Sequence, residues 1–86
     1  MDPQSRLPLH AQVEELLVRA MMSGTLPRGA RLPPEDSLIE RYAVSRTTIR
    51  TAIQSLVARG WVEIRRGKGT FVTEPTVTQE LTELTG

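Results

Sequence analysis

A mainly helical α+β fold, three helices closed by a C-terminal β-hairpin, is what this sequence predicts, and three observations predict it. Apolar residues recur at helical spacing in three successive segments. Only Ala43-Val44-Ser45 separates the second segment from the third. Beyond Gly60 the period changes to two, in runs on either side of Arg66-Gly67-Lys68-Gly69, a glycine-rich hairpin tip. With 86 residues, the chain has room for one small domain around a single core.

The first helix is expected over residues 9–23. Leu9, Val13, Leu16, Leu17 and Ala20 share one face, and Gln12, Glu15 and Arg19 fall elsewhere on the wheel. Pro8 suits its start and Gly24 its end. Residues 25–34 contain Pro27, Gly29, Pro33 and Pro34 and form a connection, within which Arg31-Leu32 is a candidate short strand. The second helix starts at Pro34 or Glu35. Proline lacks an N–H that would have no intrahelical partner there, and Glu35 and Asp36 meet the positive end of the helix dipole. Leu38, Ile39 and Tyr42 form its apolar stripe.

The third helix is expected over residues 46–59. Ser45 is its cap, with a hydroxyl that can accept a backbone N–H one turn on. Ile49, Ala52, Ile53, Leu56 and Val57 stand at i, i+3, i+4, i+7 and i+8, a buried face. Residues 61–65 read as a strand with Val62 and Ile64 alternating against Glu63, and residues 70–73 as its partner. Trp61 and Phe71 are core candidates. Residues 1–73 are thus the expected domain. Residues 74–86, rich in Thr and Glu, are expected to be a linker or the start of a further region, with Leu81 and Leu84 fitting one weak helical turn.

The net charge of +1 conceals an asymmetry. Residues 41–70 carry Arg41, Arg46, Arg50, Arg59, Arg65, Arg66 and Lys68 against Glu63 alone, whereas the flanking segments are acidic. A basic block of this kind is the footprint of a polyanion partner, or else a plain solvated face. There is no cysteine, which excludes disulfides and thiolate metal sites and fits a reducing cytoplasm. No apolar run approaches the roughly 18 residues of a membrane span, and no secretory signal opens the chain. His10 is the single histidine, and Gly67-Lys68-Gly69 lies between strands, not before a helix. Neither an enzyme nor a cofactor site is therefore expected.

Helix, helix, tight turn, helix and hairpin follow one another in the order of a winged helix-turn-helix, which offers the start of its last helix to the major groove. With the buried face of that helix assigned, Arg46, Thr47, Arg50, Thr51 and Gln54 point outward, and Arg46, Arg50 and Gln54 form one ridge. Arginine matches the paired O6 and N7 acceptors of guanine. Around the hairpin tip, Arg65, Arg66 and Lys68 surround Gly67 and Gly69, suited to phosphates or a minor groove. No aromatic platform for single strands or RNA loops stands nearby, which favours duplex DNA. Each feature alone has a plainer meaning: solvated arginines, a tight turn, a simple cap. A module that docks an acidic protein is the rival reading. An apolar centre, usual in such an interface, is missing from this ridge.

At Val44-Ser45-Arg46-Thr47-Thr48-Ile49-Arg50 the sequence resembles the GntR family of bacterial regulators. The resemblance covers about residues 8–73: it opens on Pro8-Leu9-His10-Ala11-Gln12-Val13, passes through Leu32-Pro33-Pro34-Glu35 and Ala52-Ile53-Gln54-Ser55-Leu56, and ends on Gly60-Trp61-Val62 and Gly67-Lys68-Gly69-Thr70-Phe71-Val72. It implies a winged-helix domain that binds a palindromic operator as a homodimer, commonly as a repressor. The contacts it implies are Ser45, Arg46, Thr47, Thr48 and Arg50, then Arg65, Arg66, Gly67, Lys68 and Gly69 in the wing. It also implies a small-molecule effector bound by a C-terminal domain that this chain does not contain. Three positions depart from the family pattern. Pro34 stands where serine often caps the second helix, and Arg28 where proline is common. Asp36 stands where many members have an arginine able to reach DNA, and an aspartate there has no base-contact role.

Overall fold

The structure is a computed structural model that describes residues 7–73. It contains α1 (Leu9–Ser23), α2 (Glu35–Tyr42), α3 (Arg46–Ala58), β1 (Val62–Arg65) and β2 (Gly69–Val72). The expected linker over residues 74–86 lies outside the described residues. Local chemistry sets the boundaries. Pro8 and Pro34 stand immediately before α1 and α2, where a missing N–H removes nothing from the helix. Ser45 Oγ accepts the Thr48 N–H at 3.1 Å, so the hydroxyl caps α3 as its residue type suggests. Glu35 and Asp36 occupy the first turn of α2 and Arg41 the last, each sign matched to the helix dipole.

The core lies where α1, α2 and the base of the hairpin meet α3. Val13, Leu17, Leu38, Ile49 and Leu56 are its largest fully buried side chains, joined by Ala52, Val62 and Val72. The strands pair antiparallel in the register Val62↔Val72, Glu63↔Phe71, Ile64↔Thr70 and Arg65↔Gly69. The candidate strand at Arg31-Leu32 is present as a short third ribbon. Arg31 bridges Phe71, Leu32 N–H donates to Thr70 O, and Val72 N–H donates to Ala30 O, both bonds at 2.8 Å. That ribbon ties the connection before α2 to the wing.

Some burial departs from the sequence pattern. The covered line of α1 runs through Val13, Leu17 and Met21, one residue per turn, which leaves Leu9 and Leu16 exposed beside it. Gln12, expected off the apolar face, is buried instead, and so is Glu14. Gln12 Nε2 donates to Leu7 O at 2.9 Å, and Glu14 meets α3. On α3, Ile53 and Val57 are half-buried flanks to a line of Ile49, Ala52 and Leu56. Ile64 is 53% exposed because the hairpin runs out past the helices, so that only the paired base residues Val62 and Val72 reach the core. Phe71 is half-buried, with Arg65 stacked 4.6 Å from its ring centre.

Candidate nucleic-acid interface

The turn between α2 and α3 is the first determinant of the site. Ala43 takes a left-handed backbone, φ 55 and ψ 47, and its N–H returns to Ile39 O. This reversal brings the start of α3 beside the start of α2. The consequence is electrostatic: the two outward arginines of α3 meet the two carboxylates that open α2. Arg46 donates Nη1 to Glu35 Oε1 at 2.5 Å and Nη2 to Asp36 Oδ1 at 2.6 Å. Arg50 donates Nε to Glu35 Oε2 at 2.8 Å. Both arginines stay accessible, 49% and 64% exposed. The Arg50 hydrogen bond, with further help from Arg46, holds the Glu35 carboxyl below its ordinary value despite partial burial. The same bonds raise both guanidinium groups, Arg46 mainly through Asp36 and Arg50 through Glu35.

The rest of the α3 set falls as follows. Thr47 and Thr51 are exposed beside the ridge, and Gln54 continues it. Ser45 is exposed, and its Oγ lies 2.9 Å from the half-buried Thr48 Oγ1, so these two hydroxyls engage each other as well as the helix end. In the wing, Arg66, Gly67 and Lys68 form the exposed turn, closed by Lys68 N–H donating to Arg65 O at 2.9 Å. Gly67 has φ 76, a left-handed value that favours glycine in this tip. Arg65 is not a free cation: Glu63 Oε2 accepts from its Nε at 2.5 Å, and Phe71 lies beneath it.

Sequence reasoning missed Arg31 as a member of this surface. It reads as an ordinary strand residue, and no local motif singles it out. The ribbon lays its side chain across Gly69, where a Cβ would stand 2.6 Å from Arg31 Nε. Gly69 is therefore a position of close approach, and its φ of 125 also favours glycine. Arg31, Glu35, Arg50 and Gln54 line a groove of about 500 Å³ with Ile64 and Thr70 of the hairpin. Ridge and wing thus share one side of the molecule. Arg31, Arg66 and Lys68 have no acidic partner among the described residues. Those residues hold no group of three or more metal-ligating side chains, and no helix among them is long and apolar enough to cross a membrane.

The sequence profile of the bacterial regulatory proteins of the gntR family matches residues 9–72. The chain is 45% identical over 75 residues to the HTH-type transcriptional regulator Rv0792c of Mycobacterium tuberculosis (strain ATCC 25618 / H37Rv), an alignment covering 87% of this chain and 28% of that protein. It is 35% identical over 85 residues to the HTH-type transcriptional repressor NagR of Bacillus subtilis (strain 168), across 99% of this chain and 35% of that protein. The chain thus spans about a third or less of the length of these two curated relatives. Among solved structures, AraR(DBD) in complex with operator ORR3 is similar at a TM-score of 0.76 and 36% identity, over 85% of this chain and 88% of that one.

Proposed function

We propose that this chain, which belongs to the gntR family of bacterial regulatory proteins, binds duplex DNA with sequence preference and so takes part in transcriptional control as a repressor. The observation that carries this reading is the shared groove: Arg50 and Gln54 of α3 face the same opening as Ile64 and Thr70 of the wing. One duplex can then take α3 in its major groove while the hairpin tip reaches the flanking phosphates or minor groove. The likeness to AraR(DBD), seen in complex with an operator, supports the same docking mode.

Arg50 is the principal base reader in this proposal. Glu35 takes its Nε and fixes the plane of the guanidinium, and its two terminal nitrogens have no partner among the described residues. Such a group is preorganised for a bidentate contact to guanine. Arg46 is the second reader and Thr47 assists. Ser45 and Thr48, at the N-terminal end of α3, position a phosphate beside the free N–H groups. Arg66, Lys68 and Arg31 add attraction independent of sequence, through counterion release. Gly67 and Gly69 keep the wing backbone low enough to approach, and Arg65 stiffens it. Two copies on a palindromic operator, with half-sites about one helical turn apart or less, would double the contact surface.

Selection of bound duplexes from a random pool, using the 86-residue chain, tests this directly. A symmetric consensus is the expected result. Arg50→Ala should weaken binding to the selected duplex roughly ten- to a hundredfold and relax preference at one position. If no sequence is enriched and random duplexes fail to bind at low salt, the surface serves an acidic protein partner instead.

A further inference from the structure

The two arginines of the ridge are not equivalent, and the difference lies in Asp36. Glu35 is shared, since Arg46 takes one of its oxygens and Arg50 the other. Asp36 belongs to Arg46 alone, through Nη2. Both terminal nitrogens of Arg46 are therefore occupied, while Arg50 uses only Nε. Those terminal nitrogens are the pair that a guanine edge would need. When Arg46 turns to a base, Glu35 keeps Arg50 as a partner. Asp36 keeps none, and is left as a bare carboxylate beside the incoming DNA. It is 81% exposed, so its pull on Arg46 is screened and modest, yet it acts at the very atoms used for reading.

We propose that Asp36 is a specificity-determining residue that competes with DNA for Arg46, subordinating Arg46 to Arg50 as a base reader. This rests on the reading of the site given above. The competition lowers the return from a guanine opposite Arg46, since each such contact first displaces a carboxylate. At non-guanine positions Arg46 stays with Asp36 and contributes nothing. The preference at that position is accordingly flattened, and the preference opposite Arg50 is not. The charge of Asp36 also faces DNA generally, and a test must separate that repulsion from action through Arg46.

A double-mutant cycle does so, with two probes: a duplex selected by the unaltered chain and a random duplex of equal length. Asp36→Asn and Arg46→Ala are combined singly and together, and thermal unfolding confirms that each variant is folded. Asp36→Asn should tighten binding to the selected duplex about two- to fivefold, the range of an exposed ion pair. It should also sharpen the base preference at one position. In the Arg46→Ala background most of that gain should disappear. An equal gain with and without Arg46 would mean simple charge repulsion and would overturn the proposal. So would the absence of any gain while Arg46→Ala still weakens binding; the reading of the interface would then survive. If Arg46→Ala binds the selected duplex as tightly as the unaltered chain, Arg46 is no reader, and both statements about it fall together.

Discussion

Glu14 shows how one residue can join two elements. Its side chain is only 8% exposed, yet it carries a carboxylate into the contact between α1 and α3. Ser55 Oγ donates to it at 2.7 Å and Arg59 Nη1 at 3.0 Å, while His10 Nδ1 lies 3.2 Å away. Burial alone would push its pKa up. The hydrogen bonds from Ser55, His10 and Arg59 together outweigh that effect, and the carboxyl titrates below its ordinary 4.5. Its contribution to stability is thus complete above pH 4.5 and is lost as pH falls through the lower folded value. Glu14→Ala should destabilise the fold by about 1–3 kcal/mol at neutral pH, because it strips a charged hydrogen bond from half-buried Ser55 and the carboxylate partner from exposed Arg59. Glu14→Gln should flatten the loss of stability in acid. Urea unfolding at neutral pH and below pH 4.5 reads both effects; an unchanged acid slope in the Gln variant would acquit this residue.

Among elements, the α2–α3 turn is the one that makes the site. Its single strained point is Ala43, with a φ of 55 and no glycine to ease it. A left-handed backbone costs a residue with a Cβ roughly 1–2 kcal/mol. Glycine would relieve this at the expense of roughly 0.4–1 kcal/mol of added freedom in the unfolded chain. Relief is the larger quantity, so Ala43→Gly should stabilise the domain by up to about 1 kcal/mol, seen as a higher urea midpoint. A lower midpoint would mean that the alanine methyl makes a contact worth more than the strain. The helices around this turn were legible because their signals are local: Pro34, Ser45 and the apolar spacing of α3 act within one or two turns. The covered line of α1 was not. Leu9 and Leu16 look as apolar as Leu17, and only the placement of α3 decides which leucine is covered.

For the whole molecule, the distribution of paired and unpaired cations decides what the wing contributes to binding. Arg31, Arg66 and Lys68 lack an acidic partner among the described residues, whereas Arg65 is held by Glu63. Removing an unpartnered cation that meets a phosphate should lower the slope of log affinity against log salt by about one. Lys68→Ala and Arg31→Ala should each do so, equally for selected and random duplexes, and Arg65→Ala should change the slope less. A full unit lost from Arg65→Ala with none from Arg31→Ala would reverse this assignment of charges. The wing cations could be named from the sequence because they adjoin a glycine tip. Arg31 could not, since it lies far from that tip in the chain and reaches it only through the ribbon beside β2.

The order of elements, their ends and the outward ridge of α3 were determined by the sequence alone, because caps, prolines and apolar periods act over a few neighbouring residues. Tertiary structure decided which charges are engaged. Arg46 and Arg50 meet Glu35 across 11 and 15 residues of chain, and Glu14 meets Ser55 and Arg59 across 41 and 45. Such pairings depend on how helices cross, a property of packed volumes that no local pattern of residues encodes.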